Sequence, residues 1–507
     1  MKLVRQLLWG SVLLATQAGA ESQPRSAIPW LSTILSDQVE PTTSDPATND
    51  VITVTSLGDR SRNGIGILTP EQSGIPADIW VKSDPARIVH LLNAARYDGP
   101  PAVRSLFRRL LLTDFTPPGD ESPSSDLLLA RIDLLLKIGA LNEAVALIDR
   151  VGADTDYLFS RWFDVSLLTD NAEEACAALA YSPMLSPAKN VQIFCLVRTG
   201  DWDAAAVALT LGETLGQLSP EDSQLLSFFL DPALIDEVDP PDARDPLTAL
   251  EFLIRESVGL PRPDQALPLA FLHADLADFV PVRFRMAAAE RLLQAGAITP
   301  SVLFSAYREE PPASSGGIWE RSASVQDFDD AQLPDVAAQL TKLDLEMRRI
   351  DLRHAAAMEF GPILATWTPD TVPETAYDLI AVYLLLAQNP GDAKRWITSD
   401  SPAEIKTAAI VSGLDFAIPP TLSARDFALL APFLESDPAR LLTLEMRRDL
   451  ADQRTGEIMV AAINLLAQSE QPDPGDVSTA LAALRSVDQD QVARNIAVQM
   501  LLMGVSP

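Results

Sequence analysis

Residues that bind metals or act as catalytic nucleophiles are scarce in this chain. Its 507 residues include only two cysteines and three histidines, and no two histidines have the spacing of metal ligands. Motifs typical of zinc enzymes, serine hydrolases and phosphate-binding loops are absent. Gly64 and Gly66 form only a fragment of a dinucleotide-binding motif, which we interpret as a turn. We therefore expect no metal, no cofactor, no catalytic residue and no enzymatic activity.

Basic residues are also few. Lys and Arg number 39 against 70 Asp and Glu, so the formal net charge is -31. A chain this acidic would be repelled by DNA, RNA and anionic lipid surfaces, which argues against nucleic-acid binding and favours a basic partner. The composition, with 47% hydrophobic and 21% charged residues, is typical of a globular protein rather than a disordered one.

Long apolar runs are missing except near the N-terminus. Lys2 and Arg5 precede an apolar stretch at residues 7–15, and Ala18 and Ala20 follow it, which is the layout of a secretory signal peptide cleaved after Ala20. The alternative is an uncleaved membrane anchor, but the apolar stretch is about half of the roughly 20 residues that span a bilayer. We expect a periplasmic protein whose mature chain has no integral membrane segment.

Composition divides the chain after the signal peptide at residues 1–20. Residues 21–50, rich in Ser, Pro, Thr and Asp, are expected to form a flexible leader. Val51, Ile52 and Val54 alternate with threonines, so residues 51–84 are predicted to form a short β-containing segment. From 85 to 507 apolar residues recur at helical spacing, which predicts an α-helical repeat array. Stretches rich in Pro and Asp or Gly near 231–246 and 311–317 are candidate breaks in it.

A repeat is clearest between residues 127 and 216. Gly139, Asp170 and Gly200 stand at equivalent turns, separated by 31 and 30 residues. Each unit has a long apolar helix, a turn and an alanine-rich second helix, and such a hairpin needs stacked neighbours to bury both of its faces. The predicted fold is therefore mainly α, an α-α superhelix or solenoid of helical hairpins after a small β-containing N-terminal segment.

Residues 200–206, Gly-Asp-Trp-Asp-Ala-Ala-Ala, resemble the turn and second helix of a tetratricopeptide (TPR) repeat, a hairpin that binds proteins. The spacing is shorter than the family's roughly 34 residues, and much of its Trp, Tyr and Pro pattern is missing. Segments 194–202, 271–276 and 314–321 resemble an exported alphaproteobacterial helical-repeat family, some of whose members are labelled antifreeze. That resemblance implies no particular activity. Ice binding is not expected, because the regular small-residue repeats of an ice-binding surface are missing.

The two cysteines, Cys176 and Cys195, lie early in one predicted helix and late in the next. Antiparallel packing would bring them level, so in an oxidising compartment they are a candidate disulfide. The alternative is a pair of buried free thiols that act as small apolar residues. The sequence leaves this choice open.

One loop has the composition of an anion site. Its glycines give backbone freedom before a helix start, whose free N–H groups could bind a carboxylate or phosphate, with Arg308 nearby. The residues of this candidate loop are Ser314, Ser315, Gly316, Gly317 and Arg321. The preferred alternative is a helix start anchored by Trp319 in the core.

Two further clusters are weaker candidates. His273 and Asp275 could belong to a catalytic site, but no partner nucleophile is visible and a helix-surface pair is preferred. The acidic residues of segment 236–245 lack the regular ligand spacing of a calcium-binding loop, so a solvated linker is preferred there.

Two functions from different classes fit these observations. The first is a non-enzymatic periplasmic scaffold or adaptor that binds a protein or peptide in a helical-repeat groove, with Trp202 and Trp319 as candidate contacts. The second is the helical superstructure of, or an accessory to, a cell-wall-acting enzyme such as a lytic transglycosylase. Glu256 and Ser257 match only the dipeptide of that family's motif, without its Gly-rich sequel. The first hypothesis is preferred, and the partner, process and oligomeric state stay open.

Overall fold

The computed structural model describes residues 61–118, 125–262, 267–332, 335–468 and 472–503. These residues are mainly α-helical, which confirms the predicted class. The predicted signal peptide, the leader and the first ten residues of the β-containing segment lie outside the described residues. The rest of that segment, residues 61–84, forms no strand and contributes only an isolated bridge between Leu68 and Thr113. Thr69 instead caps a short helix there, with Gln72 bonded back to it in a capping box.

The helices are numbered α1–α24 in chain order. The first twelve are α1 (Pro70–Ser73), α2 (Pro85–Ala94), α3 (Pro101–Leu112), α4 (Asp126–Lys137), α5 (Leu141–Val151), α6 (Asp156–Leu168), α7 (Ala172–Tyr181), α8 (Lys189–Thr199), α9 (Trp202–Thr214), α10 (Pro220–Leu230), α11 (Ala249–Ser257) and α12 (Val282–Gln294). The others are α13 (Pro300–Glu309), α14 (Gly317–Asp329), α15 (Val336–Arg348), α16 (Arg353–Leu364), α17 (Tyr377–Leu386), α18 (Pro390–Ala393), α19 (Ala403–Val411), α20 (Ala424–Leu434), α21 (Leu444–Ala451), α22 (Thr455–Leu466), α23 (Pro474–Ser486) and α24 (Asp490–Leu502). Short 3-10 helices, among them Pro183–Leu185, Pro232–Asp236 and Leu269–Leu276, lie between them.

The chain forms two compact units. The described residues of the first unit lie within 61–65, 125–133 and 141–277, and those of the second lie within 66–118, 134–140 and 278–503. The segment 231–246 lies inside the first unit, and the segment 311–317 lies inside the second.

The three turns of the sequence repeat share one backbone conformation. Gly139, Asp170 and Gly200 all have positive φ, at 77°, 56° and 86°. In each turn the next residue donates its N–H to a carbonyl five residues earlier, at 2.9, 2.8 and 2.9 Å. This pattern ends a helix by satisfying its last carbonyls, and it favours glycine or a small polar residue at the left-handed position. The repeat in the sequence therefore corresponds to a repeated local structure.

Aromatic rings and small residues make the core of the first unit. Phe163 on α6, Phe194 on α8 and Phe229 on α10 contact in series, with ring centroids 6.1 and 5.6 Å apart. Ala175 on α7 and Ala205 on α9 are fully buried in the same cluster. Side chains this small let neighbouring helices approach closely, which is why the second helix of each hairpin is rich in alanine.

Buried ion pairs join helices within each unit. In the first unit Arg161 on α6 donates to both carboxylate oxygens of Asp133 on α4, at 2.5 and 3.0 Å. In the second, Arg353 on α16 binds both oxygens of Asp344 on α15, at 2.7 and 3.1 Å, and donates to the carbonyl of Leu502 on α24 at 2.7 Å. Each arginine thus fixes the register of helices that are separate in sequence.

Replacing Arg353 by Met is expected to lower the free energy of unfolding by about 3–5 kcal/mol, because Asp344 would stay buried without its partner. Urea denaturation followed by circular dichroism measures the loss. The matched control is Arg448→Met, which changes an exposed arginine inside α21 and should alter stability by less than about 0.5 kcal/mol. Equal stability of the two variants would show that the buried pair does not hold this unit together.

Candidate functional site

A disulfide joins the two helices of one hairpin in the first unit. The Sγ atoms of Cys176 on α7 and Cys195 on α8 are 2.02 Å apart, and their Cα atoms are 5.1 Å apart. Both residues are buried in the aromatic cluster. Since α8 also packs directly against α9, the disulfide fixes the layer on which α9 rests.

Helix α9 has one buried face and one exposed apolar face. Ala205, Leu209 and Gly212 are buried, and a Cβ atom at Gly212 would meet Leu218 at 2.8 Å, so glycine permits the close approach. Asp201 caps the helix by accepting from the N–H of Ala204. The opposite face, which is exposed, carries aliphatic side chains.

The exposed face of α9 carries a stripe of three aliphatic side chains. Val207 and Leu211 on α9 and Leu215 at its C-cap are spaced four residues apart, so they lie along the same side of the helix. Their exposed fractions are 59%, 54% and 65%. Single exposed apolar residues are ordinary, but a contiguous row on one helix is typical of a surface that another molecule covers. We call these three residues the α9 stripe.

The segment of chain that carries the α9 stripe has no basic residue of its own, and Lys189 on α8 packs beside Gly212 of α9. Residues 199–243 contain no Lys or Arg and ten Asp or Glu. The cations that flank this segment have carboxylate partners: Arg198 lies 3.5 Å from Glu173, and Arg244 lies 3.1 Å from Asp222. On α9 itself Asp203 and Glu213 are exposed. The stripe is therefore an apolar row in a negative surface, which selects for a positive partner.

The two tryptophans named as candidate contacts differ in position. Trp202 is the first residue of α9 and is 44% exposed, but it precedes Val207 by five residues and Leu211 by nine, so it does not share the side of the helix that carries the stripe. Trp319 lies in the first turn of α14 in the second unit and is only half-buried, so it does not anchor the helix start in a core as expected. Neither tryptophan is therefore part of the α9 stripe.

The predicted anion loop lacks the cations it depended on. Arg321 donates to both oxygens of Glu290 at 2.8 and 2.7 Å, and Arg308 pairs with Asp329 and Glu359. A guanidinium held by a carboxylate is already neutralised, so neither arginine serves an anion at this loop.

The backbone conformation of the loop 314–317 accounts for its glycines. Ser314 and Ser315 are exposed, and Gly316 and Gly317 have positive φ values of 83° and 58° with open space where a Cβ would lie. The glycines therefore serve the backbone turn into α14, not a close contact with a ligand.

Arg262 brings together two of the sequence candidates in the first unit. It donates to both oxygens of Glu256 at 2.6 and 3.2 Å and to both oxygens of Asp275 at 2.9 and 2.7 Å. Burial raises the pKa of Glu256 while Arg262 opposes that rise. Arg262 therefore holds Glu256 and Asp275 together in one ion-pair cluster. Nothing in the sequence except the arginine itself indicates this pairing.

No group of three or more metal-binding side chains occurs within the described ranges. In the acidic segment 236–245, the carbonyl of Asp239 accepts from Gln224, and the carbonyl of Pro241 accepts from Arg255. Among the helices of the described part of the chain, none combines the length and apolarity needed to cross a bilayer.

Protein denatured without reductant is expected to have no reactive thiol, whereas reduction should release two per chain, because Cys176 and Cys195 are bonded to each other. Titration with a thiol reagent gives the count. In the chain-entropy model a loop of this length contributes about 3 kcal/mol, so the double Cys→Ser variant should lose about that much stability. Two reactive thiols before reduction would contradict the disulfide.

No protein-family model matches the chain, and no curated protein and no solved structure matches it either. The candidate surface therefore depends on the geometry and charge of this chain's own residues.

Proposed function

We propose that this protein is a non-enzymatic periplasmic adaptor or scaffold that binds a basic, amphipathic segment of another protein on the α9 stripe. The observation that carries the proposal is the exposed row of Val207, Leu211 and Leu215 inside a segment that has no basic residue. A helix with apolar residues at i, i+4 and i+8 and flanking Lys or Arg has the matching chemistry.

The apolar stripe and the acidic residues near it contribute to binding in different ways. Apolar contact supplies affinity, since covering the stripe removes aliphatic surface from water. The acidic surroundings attract a basic partner before contact and reject acidic ones. Helix α9 packs against α8, which the disulfide links to α7. The stripe therefore lies on a rigid helix, and less conformational entropy is lost when a partner binds.

The proposal includes a periplasmic location and a solenoid of TPR-like hairpins. The signal-like N-terminus and a disulfide that needs an oxidising compartment both support export to the periplasm. The three equivalent turns at Gly139, Asp170 and Gly200 support stacked TPR-like hairpins of a solenoid. The sequence resemblance to exported alphaproteobacterial helical-repeat proteins is in keeping with both.

Site-specific photocrosslinking in cells tests the partner directly. A photoreactive phenylalanine analogue at position 211 is compared with the same analogue at position 427 in the second unit, because Leu211 and Phe427 are both 54% exposed. The expected crosslink at 211 joins a peptide rich in Lys or Arg with apolar residues at helical spacing. An acidic or non-amphipathic crosslinked peptide, or equal labelling at both positions, would overturn the proposal.

Replacing both Leu211 and Leu215 by Ser is expected to weaken binding of a model helical peptide of leucine and lysine about tenfold, since about 1.4 kcal/mol of apolar contact is lost. Fluorescence anisotropy of the labelled peptide measures the affinity. The fold should be unaffected because both side chains are exposed.

The matched control replaces Phe427 and Leu434, which are similarly exposed on α20, by Ser. This variant should bind the peptide like the parent protein, and a leucine–glutamate peptide of the same pattern should not bind the parent. Equal weakening in both variants would contradict a specific role for the stripe.

A further inference from the structure

One stretch of the predicted leader has no acidic residue. Residues 22–36 contain one basic residue, Arg25, and no Asp or Glu, whereas residues 37–60 contain five Asp or Glu and one Arg. Both stretches lie outside the described residues. In a chain with a net charge of -31, the first stretch has the charge that a surface without basic residues attracts.

The same stretch carries a group of large apolar residues. They recur at i, i+1, i+4 and i+5, so a helix would place all of them on one side. These residues are Trp30, Leu31, Ile34 and Leu35. We call residues 28–35 the apolar leader segment. With Arg25 before it, this segment has the apolar and basic chemistry that the α9 stripe selects.

The described chain begins on the surface of the first unit. Arg62 donates to both carboxylate oxygens of Asp154 at 2.8 and 2.6 Å, in the turn between α5 and α6. The side chain of Asn63 accepts from the N–H of Leu128 on α4 at 3.2 Å. These bonds fix the point from which the leader extends.

The α9 stripe lies in the same unit, a short distance from this point. Helices α6, α7, α8 and α9 pack in succession. The axes of packed helices are about 8–10 Å apart, so α9 lies no more than about 30 Å from α6. Lys189 at the start of α8 packs beside Gly212 near the end of α9, which shows that these two helices run in opposite directions.

The 25 residues between the apolar leader segment and Ser61 are long enough to cover this distance. Fully extended they would reach about 80 Å, and a flexible chain of this length has a mean end-to-end distance of about 25–30 Å. Because that mean matches the distance to α9, the segment has an effective concentration of about 1 mM at the stripe. At that concentration a segment whose own Kd is about 0.1 mM occupies the stripe about ten times as often as it leaves it free. Weak apolar contact is therefore enough for a ligand on the same chain.

We propose that the apolar leader segment binds the α9 stripe of its own chain and competes there with the basic partner. This inference rests on the proposed function, because it gives the same surface an internal ligand. The apolar side chains of the segment cover the stripe, and the exposed carboxylates of Asp203 and Glu213 attract Arg25. A partner binds only by displacing the segment, so the surface admits sequences that are more basic or more apolar than the segment itself.

Photocrosslinking of the purified protein alone, with its leader intact, tests this contact. A photoreactive phenylalanine analogue at position 211 should crosslink to residues 28–35, in a yield that does not change with protein concentration. The same analogue at position 427, which is equally exposed, should give no such crosslink. A yield that rises with protein concentration would identify the segment of a second copy as the ligand. That result, or no crosslink to residues 28–35, would overturn the proposal.

Replacing Trp30 and Leu31 by Ser in the full chain is expected to raise its affinity for the leucine–lysine peptide about tenfold, because the stripe is then free. Fluorescence anisotropy of the labelled peptide measures the change. The matched control replaces Val51 and Ile52, two apolar residues in the acidic part of the N-terminal region, by Ser. This control should bind the peptide like the parent protein.

The two variants separate this inference from the proposed function. If the Leu211 and Leu215 double variant loses peptide binding while the Trp30 and Leu31 double variant binds like the parent, the proposed function stands and internal binding is overturned. If position 211 crosslinks to residues 28–35 but the Trp30 and Leu31 double variant binds no peptide, internal binding stands and the proposed function is overturned.

Discussion

Buried arginines bound by carboxylates are the interaction on which the helix packing of each unit depends. Arg161 with Asp133 and Arg321 with Glu290 join helices that have another helix between them in the chain, Arg353 with Asp344 joins two consecutive helices, and each pair is bidentate. Such a pair adds little net stability over an apolar contact, but removing one partner is costly, so it specifies one arrangement of helices. The sequence has 32 Arg and only seven Lys, which suits this use because only arginine presents a planar fork to a carboxylate.

The region around α9 differs from the rest of the chain because it has no arginine of its own to pair with its carboxylates. Residues 199–243 have no arginine, so no guanidinium from this segment can neutralise its ten acidic residues. Helix α9 is held instead by apolar contacts of Ala205 and Leu209 and by the disulfide-linked hairpin under it. Arg244, outside the segment, pairs with Glu221 and Asp222, whereas Asp203 and Glu213 on α9 are exposed to solvent and keep a negative charge on the helix that carries the stripe. Arginines therefore neutralise the acidic side chains of the chain unevenly. The candidate surface lies on a segment that has no arginine of its own.

Much of the fold could be predicted from local sequence. Helical periodicity, proline at helix starts, and glycine or aspartate at the left-handed turn position act over a few residues, so Gly139, Asp170 and Gly200 could be identified as equivalent turns. The glycines at 316 and 317 indicate a turn before a helix, as the structure has it, but no local pattern shows that Arg321 pairs with Glu290. Glu290 lies 31 residues earlier in the chain on α12, and only tertiary packing brings the two together.

The α9 stripe could not be predicted from the sequence, for a related reason. Residues 202–215 are apolar on nearly every side, and periodicity predicts a helix without showing which of two apolar faces has a neighbour. An excess of apolar residues over what one buried face needs was the available signal. The strands expected from residues 51–84 also depended on a short pattern, and in residues 61–84 the Thr69 cap and the following prolines favour helical turns instead.

The size of the α9 stripe limits how a partner can bind there. Fully burying a Val or Leu side chain contributes about 1.5–3 kcal/mol. The three residues are already nearly half covered by their own helix, so a partner gains roughly half of that from each, or about 3 kcal/mol in total. A micromolar complex needs about 8 kcal/mol net of the cost of association. Apolar contact with the stripe alone is therefore too weak, and the acidic residues around it have to supply the difference. Such binding is transient, selective for basic segments and sensitive to salt, because exposed charges act over about one Debye length.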